Sequence, residues 1–336
     1  MRHGSRSENS VLQRIFARAA NSAQNVGARA VRLGIGDDAA LFRPKPGHET
    51  ILTCDWFLEG THFRRDTHPA DAVGWKCLVR ALSDVAAMGG VPRCFLLSLA
   101  LPESHIGRWL DAFLGGLRRA SRKFNCTLAG GDTTQRREIL ISVTAMGEIR
   151  KARAVLRSGA RAGDIICVTG RLGEAELGLR ILRSSFGQAR PSNPILKKHL
   201  YPEPRLAVGR WLAERGFATS MMDLSDGISS DLPRLCAASG VGADVEGGKL
   251  PLVKHLSTSR SAAVDPLQLA LHGGDDYELL FTVRPSKVNM LPNIFRRVPL
   301  TAIGRITEQR GLVLLKQDGR ERQLHPGGWD PFRIKR

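Results

Sequence analysis

No two cysteines in this chain are spaced as CxxC. Cys54, Cys77, Cys94, Cys126, Cys167 and Cys236 lie scattered, which leaves no case for a zinc site or a disulfide framework and fits the reduced thiols of a cytoplasm. No apolar run reaches the ~20 residues of a membrane-spanning helix. The opening "MRHGSRSENS" lacks the apolar core of a signal peptide, so export by that route is not expected, and the first seven residues read as an untethered extension. Only 6% of residues are aromatic, and the bases behind a net charge of +18 form no long block and do not alternate with aromatics. Arg118, Arg119, Arg122 and Lys123 sit in one stretch, Lys197 and Lys198 in another, Arg296 and Arg297 in a third. That dispersal argues against an RNA-binding module. It fits a solvated basic surface, which also speeds the encounter with anionic substrates. No repeat or low-complexity tract stands out. The common nucleotide signatures are missing too: no GxxxxGK[ST] loop, no GxGxxG opening a helix, no HRD–DFG pair.

What is present is a chain of 336 residues, 42% hydrophobic and 24% charged, the composition of a soluble globular protein with a length that favours two domains. "TILTCDW" (50–56), "CFLLSLAL" (94–101) and "ILISVTAMGE" (139–148) read as strands. Residues 70–88 read as a helix, with Pro69 and Asp71 at its start and Gly89-Gly90 at its end. Ile106, Trp109, Leu110, Phe113, Leu114 and Leu117 recur at helical spacing. The polar stretch 150–164 reads as a boundary between domains of residues 1–149 and 150–336. Beyond it, strands and helices alternate, and residues 184–202 read as a loop region. The three apolar strands of the first half are too apolar to stand as open edges, so a C2 homodimer is expected.

Against the basic background the acids are placed with a pattern. Asp37-Asp38 follow glycine in "GIGDDAA", and Asp55 ends the strand "LTCDWF". Asp84 lies in the apolar helix at "ALSDVAAMGG", Asp132 in "AGGDTT", Asp223 and Asp226 in "MMDLSDG", and Asp275-Asp276 in "HGGDDYEL". Each alone has a plain alternative: Asp226-Gly227 as a turn or helix cap, Asp84 as a polar helix-edge residue, Asp37-Asp38 as a Gly-Asp turn, and Asp132 bonding its own turn with Thr133 and Thr134. Repetition of one design at six places lowers the chance that all are structural. Aspartates without histidine or cysteine partners are hard oxygen ligands suited to Mg²⁺. Mg²⁺ with glycine turns that let backbone amides approach anions points to phosphoryl transfer.

In this order "GIGDDAA", "TCDWFLEGTHF", "LSDVAAMGG", "AGGDTT", "RSGARAGD", "MDLSDGISSDL" and "GGDDYELLFTV" resemble the thiamine-monophosphate kinase family, within the aminoimidazole-ribonucleotide synthetase-like superfamily of ATP-using enzymes. The resemblance runs from about residue 8 to 332. It implies transfer of a phosphoryl group from ATP to thiamine monophosphate, giving thiamine diphosphate, with several magnesium ions. It implies an N-terminal α+β domain whose strands pair with a second subunit's in a shared β-barrel, and a C-terminal α/β domain closing over ATP.

By the same resemblance, Asp38, Thr53, Cys54, Asp55, Asp84, Asp132, Asp223 and Asp226 are magnesium ligands, with Asp84, Asp132 and Asp226 central to catalysis. Gly131, Asp132, Arg157 and Ser225 contact ATP. His62, Asp275 and Trp329 contact the thiamine phosphate, although a lone histidine or a terminal tryptophan also suits plain packing. The chain departs from the family at Cys54, where Ser or Thr is usual, and at Asp275, where Glu is common. Strand alternation makes Thr53 a better hydroxyl ligand than position 54, which then contributes at most its backbone oxygen. The runner-up reading is a sister enzyme: the purine-pathway synthetase, selenophosphate synthetase or the hydrogenase maturation factor. The last should end in a cysteine, and this chain ends "PFRIKR".

Overall fold

The computed structural model describes residues 8–19, 30–35, 39–184, 193–254 and 264–332. The chain divides into two compact units, one of Met1–Val85 and Gly90–Ala152, the other of Ala86–Gly89 and Arg153–Arg336.

The first unit opens with α1 (Glu8–Ala19) and the short paired strands β1 (Val31–Leu33) and β2 (Leu41–Phe42). Then come β3 (His48–Leu58), α2 (Ala70–Ala87), β4 (Val91–Leu101), α3 (Arg108–Phe124), β5 (Thr127–Gln135) and β6 (Leu140–Arg150). The last four strands make one sheet in the order β3-β6-β4-β5, antiparallel except for the parallel pair β4/β5. The expected strands at 94–101 and 139–148 are therefore central, and of the three apolar strands only β3 is an edge. Helix α2 stops where Gly89 takes a left-handed turn at φ 77° and the N–H groups of Gly89 and Gly90 close on the carbonyls of Ala86 and Val85. Helix α3 buries Leu110, Phe113, Leu114 and Leu117 and ends on left-handed Asn125, with Arg122 and Lys123 at its negative end. The two helices touch backbone to backbone. A Cβ on Gly74 would lie 2.0 Å from the Phe113 carbonyl oxygen, and one on Gly116 would lie 1.8 Å from that of Asp71.

The pleat of β3 divides its residues between two environments. Ile51, Thr53, Asp55 and Phe57 pair with Gly147, Ala145, Val143 and Ile141 of β6, and the Val85 side chain packs at Gly147, so α2 covers this face. Leu52, Cys54 and Trp56 point the other way, where Leu52 is 67% and Trp56 57% exposed.

The second unit holds β7 (Ile165–Thr169), α4 (Glu174–Ser184), α5 (Pro194–Leu200), α6 (Leu206–Arg215), β8 (Ala218–Leu224), α7 (Ile228–Ser239) and β9 (Gly242–Glu246). It continues with α8 (Pro266–His272), β10 (Glu278–Val283), α9 (Pro285–Val288), β11 (Ile294–Phe295), β12 (Val298–Thr307), β13 (Val313–Gln317) and β14 (Arg320–Gln323). Seven of these strands lie in the order β14-β13-β9-β12-β7-β10-β8, and β11 pairs with β12. Both units thus mix helix with sheet, as expected. The region 184–202 is not all loop: Asn193 caps α5 with its side chain and Pro194 opens the helix. A core of Ile166, Val168, Leu224, Leu232, Leu280 and Ile303 packs the sheet against α7. Arg205 and Glu278 form a largely buried ion pair in this unit. Arg205 donates to both carboxylate oxygens of Glu278, through Nε at 2.6 Å and also through Nη2, and the Thr169 hydroxyl donates to the same group at 2.6 Å. Burial alone would lower the Arg205 pKa, but the Glu278 carboxylate outweighs it and raises it.

Candidate active site

In the first unit, the face of β3 that packs under α2 brings three of the expected residues together. The Thr53 hydroxyl donates to Asp84 Oδ2, and the Asp55 carboxylate, two residues along the same face, lies 4.0 Å from the Arg80 guanidinium. Arg80 also stands over the Phe57 ring at 5.5 Å. Asp84 belongs to a helix whose neighbours Leu82 and Val85 are fully buried, so its carboxylate emerges at the sheet rather than on a solvated helix edge.

Cys54 lies on the opposite face. Its sulfur sits 3.4 Å from the Ser142 and Thr144 hydroxyls, away from Asp84.

The plain alternative for Asp132 is a turn with Thr133 and Thr134, but "AGGDTT" is strand, inside β5. Glycine is needed at 131 because a Cβ there would lie 1.9 Å from the Leu97 carbonyl oxygen of β4. Asp132 pairs with Ser98, which pairs with Ser142, which pairs with Trp56. This row lies on the Cys54 face of the sheet, so Asp132 is not brought to Thr53 and Asp84 within this unit. The Asp132 carboxylate takes the Thr133 N–H at 2.9 Å. Asp37 and Asp38 lie outside the described residues.

His62 follows β3 in a short turn. Its Nδ1 accepts the Leu58 N–H at 3.0 Å, so in the neutral ring the proton sits on Nε2, which acts as a donor. The ring also lies 5.8 Å from that of Phe57.

In the second unit two loops interlock. The loop "SDG" leads from β8 into α7, and "GGDDY" leads into β10. The N–H of Asp275 donates to the Ser225 carbonyl at 2.8 Å, and that of Tyr277 to the Leu224 carbonyl at 2.9 Å. Asp275 and Tyr277 are both left-handed, at φ 68° and 50°, a conformation that costs most residues about 1 kcal/mol or more and gathers at functional loops. Aspartate tolerates it better than glutamate, which gives a local reason for Asp275 where the family commonly has Glu. The Tyr277 hydroxyl donates to Asp275 Oδ1 at 2.6 Å.

Asp276 turns inward and accepts the N–H groups of Gly173 and Ala175 at 2.6 and 3.0 Å, at the start of α4. Burial pushes its pKa up to about 7, against the opposing pull of those two amides.

Asp223, at the end of β8, is buried. Ser225 and Asp226 are held by Asp231 of α7, whose Oδ2 accepts their N–H groups at 3.1 and 2.9 Å. Burial pushes the Asp231 pKa up to about 6. The C-terminal stretch lies on the same helix start: Gly327 N–H donates to Ser229 and Gly328 N–H to Ser230, each at 3.2 Å. Trp329 follows, 43% exposed. Arg157 is exposed, and its carbonyl accepts the Ser239 hydroxyl at 3.0 Å.

Among the described residues no group of three or more His, Cys, Asp or Glu side chains is arranged to hold a metal ion. The kind of donor nevertheless fits magnesium: Thr53, Asp55, Asp84, Asp132, Asp223 and Asp226 offer only hard oxygens. Sequence reasoning missed Asp231, Arg234 and Tyr277, which support the loops. A sequence signal existed for Asp231 alone, three residues after the helix start at Ile228.

Residues 36–149 match the family described as AIR synthase related protein, N-terminal domain, and residues 161–316 match its C-terminal domain. The chain is 37% identical to the thiamine-monophosphate kinase of Escherichia coli (strain K12) over 333 residues, covering 97% of this chain and 98% of that one. It resembles the crystal structure of thiamine-monophosphate kinase from Stenotrophomonas maltophilia K279a at a TM-score of 0.79 and 35% identity, covering 94% of this chain and 97% of that one. It also resembles a structure described as AaThiL complexed with AMPPCP and TMP, at a TM-score of 0.76 and 32% identity, covering 99% of both chains.

Proposed function

The chain belongs to the thiamine-monophosphate kinase family, and from that premise we propose that it transfers the γ-phosphoryl group of ATP to thiamine monophosphate, giving thiamine diphosphate and ADP. The observation that carries this reading is the likeness to the E. coli kinase along 97% of the chain. In this reading residues 1–149 are the N-terminal metal- and ATP-binding domain and residues 150–336 the C-terminal α/β domain.

Magnesium is the cation this reading requires. Several ions are required, and Asp38, Thr53, Asp55, Asp84, Asp132, Asp223 and Asp226 would share them, with position 54 giving its backbone oxygen. When bound, they offset the repulsion between two phosphate-bearing reactants and favour in-line approach. The remaining work falls to the chain's own groups. Thr53 orients the Asp84 carboxylate through its hydroxyl. The Gly131 backbone, Arg157 and Ser225 bind ATP. His62 donates from Nε2 to the acceptor phosphate, because Leu58 occupies Nδ1. Trp329 presents an exposed aromatic face to the thiazolium cation, and Asp275, braced by Tyr277, faces the substrate. The acceptor oxygen is already ionised near neutral pH, so no strong general base is needed.

The protein works as a homodimer in this reading. The edge strand β3 carries Leu52 and Trp56 on an open face, which a second copy's strands would cover in a shared barrel. Its six free thiols and its need for ATP support a cytoplasmic location in this reading. ADP release assayed with thiamine monophosphate, thiamine and formylglycinamidine ribonucleotide side by side tests the reaction. Product is expected only with thiamine monophosphate, and equal turnover of free thiamine overturns the assignment.

A further inference from the structure

Arg234 lies nearly two turns into α7 and reaches back to the loop before it. Its Nη1 donates to Asp226 Oδ2 at 2.5 Å and to Asp231 Oδ1 at 2.9 Å. The two carboxylates differ in their freedom. The Asp231 side chain is fully buried, and its other oxygen is committed to the Ser225 and Asp226 N–H groups. The Asp226 side chain is partly exposed, and its carboxylate is the one that a ligand from solution can reach. One guanidinium nitrogen therefore serves a fixed acid and an approachable one.

We propose that Arg234 is the protein's own counter-cation for Asp226, occupying a bond that a divalent cation must displace, with Asp231 as the anchor to which Arg234 falls back. This inference rests on the reading of Asp226 as a magnesium ligand and adds a regulation to it. Asp226, Asp231 and Arg234 together carry a net charge of −1. Without the arginine they carry −2, so Arg234 weakens the pull on a free cation while nothing else is bound. A nucleotide that arrives with its own magnesium brings additional negative charge and offsets that weakening. The residue thus biases this half of the site against metal alone and towards the metal–nucleotide complex. Asp231 acts as a positioning residue in the same device, because it holds both the loop backbone and the arginine that Asp226 releases.

The test is calorimetric titration of Mg²⁺ into the nucleotide-free full-length enzyme, with four variants: Arg234→Gln, Arg234→Lys, Asp226→Asn and the double variant Arg234→Gln/Asp226→Asn. A unit charge a few ångströms from a divalent ion in a half-solvated site changes affinity by roughly tenfold or more. Arg234→Gln is therefore expected to bind Mg²⁺ about tenfold more tightly than the parent, and Arg234→Lys, which keeps the charge, to stay within about threefold of it. The gain should vanish in the double variant, since it belongs to Asp226. Unchanged or weaker binding by Arg234→Gln, with Asp226→Asn still weakening binding, overturns the counter-cation role and leaves Asp226 as a ligand. If Asp226→Asn leaves Mg²⁺ binding unchanged in both backgrounds, the ligand reading itself fails. Should Arg234→Gln unfold, the lysine variant decides the matter: a tenfold change in its affinity overturns the proposal.

Discussion

Substitutions at three consecutive positions of β3 should have unequal effects that follow the pleat of the strand. The Thr53 hydroxyl donates to the Asp84 carboxylate, and a hydrogen bond to a charged group contributes about 1.5–3 kcal/mol. Thr53→Ala is expected to lower kcat/KM by roughly 10- to 150-fold, at 1.36 kcal/mol per decade. Thr53→Ser, which keeps the oxygen, should restore most of the loss. Cys54 faces the other way, with its sulfur 3.4 Å from two hydroxyls on the exposed side of the sheet. Bonds of that kind contribute well under ~1 kcal/mol, so Cys54→Ala should stay within about fivefold of the parent. Asp55→Asn removes a ligand charge from the Thr53 face and should cost the most, on the order of 10³. The assay is initial rate against Mg²⁺ concentration at saturating ATP and subsaturating thiamine monophosphate, which reads kcat/KM, for all four variants. If Cys54→Ala proves as damaging as Asp55→Asn, position 54 supplies more than a backbone oxygen and the reasoning from strand alternation is wrong. Failure of Thr53→Ser to recover activity would remove the hydroxyl from the argument.

Asp84→Asn and Asp132→Asn should each lower kcat/KM by at least ~10³, about 4 kcal/mol, with thermal unfolding little changed; a rate near that of the parent returns the residue to a structural role. Glu278→Ala strands the buried Arg205 cation and should cost about 3–5 kcal/mol of stability in urea unfolding, while the double variant Arg205→Met/Glu278→Leu recovers most of it; a loss under ~1 kcal/mol for Glu278→Ala refutes the role given to the pair. Asp276 has a folded pKa near 7, above its value in an unfolded chain, so its contribution to stability is present in acid and lost as pH rises through about 7. The Tm of Asp276→Asn should therefore gain on that of the parent between about pH 4 and 8, and a difference that ignores pH counts against this. Sedimentation should show a dimer at micromolar protein that Leu52→Lys/Trp56→Lys dissociates; a stable monomer before substitution contradicts the covered-edge reading.

Much of this architecture could be read from the chain because the relevant signals are local. Pro69, Asp71 and Gly89 bracket α2 within two residues of its observed ends, and the motifs "MDLSDG" and "GGDDYEL" fell on the two loops that interlock. Where the reading failed, the cause was contact between distant segments. The glycines before Asp132 resemble a turn in sequence, but they serve the close approach of β4 to β5, which only the fold reveals. Which apolar strand is an edge depends on strand order, and hydropathy does not encode it. Asp231 and Arg234 look like an ordinary acid–base pair on a helix surface, and their tie to Asp226 appears only once the loop folds back. Helix α5 was a different kind of miss, since its Asn193-Pro194 start is a standard local signal that the surrounding Pro and Ser residues obscured.

The contact between α2 and α3 has an evolutionary consequence. Gly74 and Gly116 each face a carbonyl oxygen of the other helix at a distance that leaves no room for even a methyl group. Variation at one position cannot be rescued by shrinking its neighbour, because the neighbour is main chain and carries nothing to trim. The seam therefore offers no path of compensating pairs. Relatives that keep this helix pair should keep both glycines while the apolar residues around them exchange freely, and a saturation library should show two isolated columns of intolerance 42 residues apart.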